Sequence, residues 1–246
     1  MTTPVAVPLC QLGYVSPLPV VDAMHYEFYQ VIREGAVLIA APLPVDAFST
    51  ASVTDALAGA PAVVDYLAAR GADRIVFGGI PISSLRGRAG MLALMDEQRQ
   101  RTGIPVTSDF EDALEALRAF SVHRVALAAK WKPAVIEAVR DYLADAGFEC
   151  VGACGDAYDA GDVAAINTVQ SVALGVSLGR RALASYPAAD ALLLGGGTWL
   201  SLPIATTLER EFDKPVVSNM TATFWSALRQ FGLPPAPGLG CRLLAR

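Results

Sequence analysis

A strand-turn-helix segment occurs twice in this chain, and that repetition limits the fold more than any other feature. Ala72-Asp73-Arg74-Ile75-Val76-Phe77-Gly78-Gly79-Ile80-Pro81-Ile82-Ser83 is matched by Ala189-Asp190-Ala191-Leu192-Leu193-Leu194-Gly195-Gly196-Gly197-Thr198-Trp199-Leu200-Ser201. In both, an aspartate precedes an apolar run that ends in glycines. Some thirty residues on, the match resumes: Pro105-Val106-Thr107-Ser108-Asp109 pairs with Pro215-Val216-Val217-Ser218-Asn219, and Ala116-Leu117-Arg118-Ala119-Phe120 with Ala227-Leu228-Arg229-Gln230-Phe231. Order and spacing hold with small insertions. Two units in series at nearly one offset predict two pseudo-symmetric α/β halves rather than one undivided core.

The periodicity agrees. Short β-like runs at Leu12–Val15, Ala36–Ala40, Arg74–Phe77, Val106–Thr107, Arg124–Ala128, Phe148–Val151, Ala191–Leu194 and Val216–Val217 alternate with helical stretches. The helices are expected at Asp22–Arg33, Ser52–Arg70, Gly90–Thr102, Phe110–Phe120, Pro133–Ala146, Asp162–Tyr186, Pro203–Phe212 and Ala222–Phe231. Such alternation is the pattern of parallel sheets covered by helices. In open parallel sheets, ligands bind beyond the carboxyl ends of the strands. Glycine there admits a close backbone approach, and a following helix N-terminus attracts anions. Gly78-Gly79 and Gly195-Gly196-Gly197 therefore mark one cleft, lined by one turn from each half; the alternative is that both are simple tight turns.

Composition removes several classes. Of 246 residues, 53% are hydrophobic and 17% charged, which excludes a disordered chain. A net charge of −5 with no Lys/Arg cluster argues against nucleic acid as a partner. The longest apolar stretch, from Gly35 to Pro44, is about half of the ~20 residues a spanning helix needs. Met1-Thr2-Thr3-Pro4 lacks the charged and apolar regions of a signal peptide, so a cytoplasmic location and no membrane partner are expected. Cys10, Cys150, Cys154 and Cys241 are scattered, and Cys150 and Cys154 have no second Cys/His pair at zinc spacing. No metal is expected, and no cofactor: there is no phosphate loop of Walker type, and the dinucleotide fingerprint Gly-x-Gly-x-x-Gly does not follow the first strand. The high apolar fraction is compatible with a homodimer.

Within this frame, Ser83-Ser84-Leu85-Arg86-Gly87, Arg124-Val125-Ala126-Leu127-Ala128, the stretch around Leu192–Gly197, and Pro215-Val216-Val217-Ser218 followed by Phe224-Trp225 resemble the aspartate/glutamate racemase superfamily. The likeness is to its branch of arylmalonate decarboxylases and maleate cis-trans isomerases, and runs from about Leu12 to Arg242. The resemblance implies two Rossmann-like parallel-sheet lobes with the active-site cleft between them. It places residues 1–120 with 220–246 in the first lobe and 121–219 in the second. It also implies cofactor-independent chemistry at the carbon next to a carboxylate. Racemases and isomerases of the superfamily carry a cysteine just after the strand in each half, and the decarboxylases keep only the second; the matching residues here are Gly79 and Gly196. Glycine neither moves a proton nor forms a covalent bond. Where the decarboxylases carry Thr-Ser after the first turn, this chain has Ile80-Pro81, and Pro81 lacks an amide hydrogen. Trp131 stands where they place a tyrosine.

The expected reaction is thus decarboxylation or isomerisation of a small organic acid by non-cysteine chemistry. Gly79, Ile80, Trp131, Gly196, Gly197, Thr198 and Ser218 are the expected substrate-binding residues. The Gly196, Gly197 and Thr198 backbone is expected to hold the carboxylate. Lys130, which directly follows Arg124–Ala128, is the first candidate for acid, base or anchor; the plainer reading is a solvated lysine beside Lys132. Ser83, with Ser84 and Arg86, opens the helix after the first turn and is either catalytic or a cap. Ser108 and Ser218 either line the cleft or form turns. His25 and His123 join no Ser-His-Asp arrangement. Two other readings remain open: a non-catalytic small-acid binder, and a lyase or hydrolase using cleft serines.

Overall fold

The structure is a computed structural model that describes residues 7–246; residues 1–6, on which the signal-peptide reading falls, lie outside the described residues. Among the described residues, eight strands form two parallel sheets. β1 (Cys10–Ser16), β2 (Ala36–Pro42), β3 (Arg74–Phe77) and β4 (Val106–Ser108) take the order β2-β1-β3-β4. β5 (Arg124–Trp131), β6 (Glu149–Tyr158), β7 (Ala191–Gly195) and β8 (Val216–Ser218) take the order β6-β5-β7-β8. The second sheet repeats the strand order of the first, as the sequence repeat requires. Ile75–Phe77 of β3 and Ala191–Leu194 of β7 read as apolar runs because every residue of each is buried.

The helices are α1 (Ala23–Val31), α2 (Thr50–Leu57), α3 (Ala60–Ala69), α4 (Ile80–Arg86), α5 (Arg88–Thr102), α6 (Asp109–Ala119), α7 (Pro133–Asp145), α8 (Ala160–Ala165), α9 (Thr168–Ser185), α10 (Ser201–Phe212) and α11 (Asn219–Phe231). A short 3₁₀ turn, Leu243–Ala245, follows. Two expected helices are each divided. The stretch Ser52–Arg70 breaks at Ala58-Gly59, and Pro61, which suits only a helix's first turn, lies in the first turn of α3. The stretch Asp162–Tyr186 breaks at Ile166-Asn167, where the Asn167 side chain accepts from the Gln170 amide at 2.9 Å and starts α9. β6 runs seven residues past the expected Val151, following β5 through two register shifts.

Helices α6 and α11, the repeat-related pair, pack against each other, and a single core cluster draws on both sheets. Buried polar links reinforce this contact. Arg74 at the start of β3 reaches Asp112 on α6 at 2.6 Å, and Ser226 and Gln230 on α11 at 2.9 and 2.5 Å. Glu27 on α1 accepts from Ser201 Oγ at 2.6 Å and the Leu202 amide at 2.7 Å, capping α10, whose own N-cap Leu200 has no polar side chain. No helix among the described residues is long and apolar enough to cross a membrane.

Candidate active site

Strand register builds the site. Phe77 lies beside Ser108, and Leu194 beside Ser218, so each glycine turn leaves its sheet next to the first residue of α6 or α11. Gly79 has φ +101° and Gly196 φ +145°, conformations that favour glycine. The Gly79 amide donates to Asp109 Oδ2 at 2.8 Å, and the Gly196 amide to Asn219 Oδ1 at 3.2 Å. Asn219 Nδ2 then donates to the same Asp109 oxygen at 2.6 Å. The two turns are therefore joined through a fully buried carboxylate-amide bridge formed by matched positions of the repeat. Burial pushes the Asp109 carboxyl up to about 6, against the opposing pull of its hydrogen bonds, and its Oδ1 has no partner among the described residues.

A cavity partly open to solvent lies between the turns. The first half lines it with Tyr14, Pro17 and Gly79, the second with Trp131, Gly197 and Thr198. Gly196 and Pro81 also border it, and Met24, Phe48 and Val163 add apolar wall. Five of the residues nominated from sequence thus come together: Gly79, Trp131, Gly196, Gly197 and Thr198. The Gly196 amide is already committed to Asn219, so Gly197 and Thr198 carry the backbone facing the cavity from this turn.

The other four nominated residues do not line the cavity. Ile80 is buried in the first turn of α4. Ser83 is 1% exposed, and its Oγ has no hydrogen-bond partner among the described residues. Ser218 caps α11, accepting from the Thr221 amide at 3.0 Å; Ser108 does the same for α6 through Glu111 at 3.2 Å. Lys130 is fully buried, not solvated: its Nζ lies 2.5 Å from Thr198 Oγ1 and 3.9 Å from the centre of the Trp199 ring. Burial lowers it from 10.5 to about 7, and no carboxylate among the described residues offsets that effect. Lys130 therefore meets the cavity through the Thr198 hydroxyl.

Two aromatic residues that sequence reasoning did not nominate shape the turns. An ideal Cβ on Gly196 would lie 2.5 Å from Trp199 Nε1, so the indole fills the space a side chain at 196 would need. An ideal Cβ on Gly78 would lie 2.0 Å from Tyr14 Oη, so the phenol occupies that gap. None of the four cysteines lines the cavity; Cys10 Sγ donates to Gly35 O, and Cys241 is buried elsewhere. No cluster of three or more His, Cys, Asp or Glu able to hold a metal occurs among the described residues.

Known proteins share this architecture. Arylmalonate decarboxylase from Bordetella bronchiseptica is 36% identical over 183 residues, 72% of this chain and 75% of the relative. Maleate isomerase from Nocardia farcinica is 34% identical over 138 residues, 53% of this chain and 51% of the relative. The crystal structure of an arylmalonate decarboxylase variant in its liganded form, with one glycine changed to cysteine and one cysteine to serine, superposes with a TM-score of 0.86. It is 28% identical and covers 95% of this chain and 98% of its own. The family model described as arylmalonate decarboxylase matches residues 15–244. Two like-ordered parallel sheets, paired glycine turns and a match along nearly the whole chain lead to one assignment: the chain belongs to the arylmalonate decarboxylase family.

Proposed function

We propose that this protein is a cofactor-independent enzyme acting at the carbon next to a carboxylate of a small organic acid, in the manner of a decarboxylase or isomerase, with no cysteine in the reaction. The observation that carries the reading is Lys130: a fully buried lysine, without a carboxylate to neutralise it, hydrogen-bonded to a cavity-lining hydroxyl. A buried cation of this kind leaves a place for an anion. One substrate carboxylate accepts from the Gly197 and Thr198 backbone and from the Thr198 hydroxyl, which Lys130 polarises. A second carboxylate set against Pro17, Pro81 and the apolar wall is poorly solvated and is released as CO₂. Its electron pair moves onto the neighbouring carbon as an enediolate, stabilised by the fixed donors on the first carboxylate.

In this reading residues 1–120 with 220–246 form one lobe and 121–219 the other, a division supported by the packing of α11 on α6. Ser83 is not given a chemical role: no base is hydrogen-bonded to it, as nucleophilic catalysis needs. Incubation with phenylmalonate and with maleate tests the proposal. Release of CO₂ from the first, or conversion of the second to fumarate, is the expected result. Thermal stabilisation by these acids without turnover would replace it with a small-acid-binding protein.

A further inference from the structure

We infer that Tyr14 is the catalytic proton donor of this site, delivering its phenolic hydrogen to the carbon left electron-rich when the substrate carboxylate departs. The inference rests on the decarboxylation proposed above and supplies the acid that Gly79 and Gly196 cannot.

Position is the first ground. Tyr14 is near the carboxyl end of β1, beside Val76 of β3, and its ring reaches the cavity because Gly78 has no side chain. Its Oη lies 2.0 Å from an ideal Cβ on Gly78 and 3.7 Å from one on Gly197. The hydroxyl is thus placed where the glycine turns of the two halves approach each other, on the wall that an acid held by Gly197 and Thr198 must face.

Availability is the second ground. The other cavity hydroxyls have other duties: Ser16 Oγ donates to Leu18 O at 2.8 Å, and Thr198 Oγ1 accepts from Lys130, which turns its hydrogen to the carboxylate held in the proposed complex. Asp22, also on the wall, caps α1 and accepts from Thr168. Tyr14 Oη has no hydrogen-bond partner among the described residues. Burial, and then the negative charge of Asp109, hold the phenol well above its usual range, so it stays protonated until a strong base appears. An enediolate carbon is such a base.

The step balances without a further reagent. The bond between the reacting carbon and the departing carboxylate breaks, CO₂ leaves, and the electron pair remains as enediolate. The Tyr14 O–H bond then breaks and a C–H bond forms, leaving a monocarboxylate and a tyrosinate. Solvent water returns the proton to Tyr14 as product leaves, so each turnover consumes one solvent proton.

The test uses methyl(phenyl)malonate, whose product carries a new stereocentre, with the wild-type protein, Tyr14→Phe, and a protein bearing 3,5-difluorotyrosine at position 14. Tyr14→Phe is expected to lower kcat about 100-fold. Any residual product is expected to be racemic, because an enediolate protonated by water receives hydrogen on either face. Binding of phenylacetate, measured by calorimetry, is expected to be unchanged, and the fluorinated phenol to keep a single enantiomer. Loss of phenylacetate binding in Tyr14→Phe would make the residue structural and overturn the assignment, as would racemic product from the fluorinated protein. An active wild type whose Tyr14→Phe variant keeps both rate and enantiomer overturns the Tyr14 role alone. A wild type inactive on methyl(phenyl)malonate, phenylmalonate and maleate overturns the parent reading and the Tyr14 role with it.

Discussion

Replacing Lys130 with methionine removes a cation that the fold holds at a thermodynamic cost. Burial takes the group from 10.5 to about 7, which disfavours the ammonium by roughly 5 kcal/mol relative to water. Because the folded value lies below the unfolded one, the unfolded chain binds more protons between pH about 7 and 10.5. The contribution of Lys130 to wild-type stability therefore rises with pH across that window. Methionine fills similar volume without charge, so Lys130→Met is expected to be more stable at pH 7, by roughly 1–4 kcal/mol after the loss of the Thr198 and Trp199 contacts. The rise between pH 7 and 10.5 should be absent from the variant. Urea denaturation across this range measures both effects. Calorimetric titration with phenylacetate should show binding at least tenfold weaker, together with loss of the proton uptake that accompanies anion binding to a half-ionised lysine. A variant less stable than wild type at every pH, with unchanged phenylacetate affinity, would refute the reasoning.

Gly196→Cys sets a Cβ 2.5 Å from Trp199 Nε1 on a backbone with φ +145°, and is expected to destabilise the fold by roughly 2–4 kcal/mol in chemical denaturation. Adding Trp199→Ala removes the clash, so the double variant should lose less than the two single losses added together. Asp109→Ala leaves the Gly79 amide and Asn219 Nδ2 without their buried acceptor and should cost roughly 2–5 kcal/mol, read as a lower Tm. Asp109→Asn keeps an acceptor and removes only the titration. The Asp109 value is raised from 3.8 to about 6, so its stabilising contribution is full below pH 3.8 and lost as pH rises to about 6. The wild-type minus Asp109→Asn stability difference should fall through that window.

The halves and their strand order were legible because a repeat records topology twice. Parallel strands buried on both faces also read as plain apolar runs. Helix breaks were less visible: Gly59 and Asn167 sit inside stretches whose apolar spacing continues, and only a proline in the next turn at the first and a side-chain cap at the second start a new helix. In the site, backbone features were the readable part, since glycines after strands must gather at one sheet edge. The fates of hydroxyls were not, because Ser83 and Ser218 differ only in what packs around them. Tyr14 looked like an interior strand residue; the signal for it was Gly78, a neighbour small enough to let a phenol reach the cleft. Asp109 and Asn219 stood at matched positions of the repeat, and two unlike polar groups there were the sign that the positions face each other.

Proton NMR in deuterated water tests the central claim, chemistry beside a carboxylate without a thiol. The protein is incubated with phenylmalonate, maleate, aspartate and glutamate, before and after alkylation of its accessible cysteines. Deuterium is predicted at the carbon next to the retained carboxylate of at least one acid, at a rate unchanged by alkylation. No deuterium in any of them, or a rate abolished by thiol modification, would contradict the account.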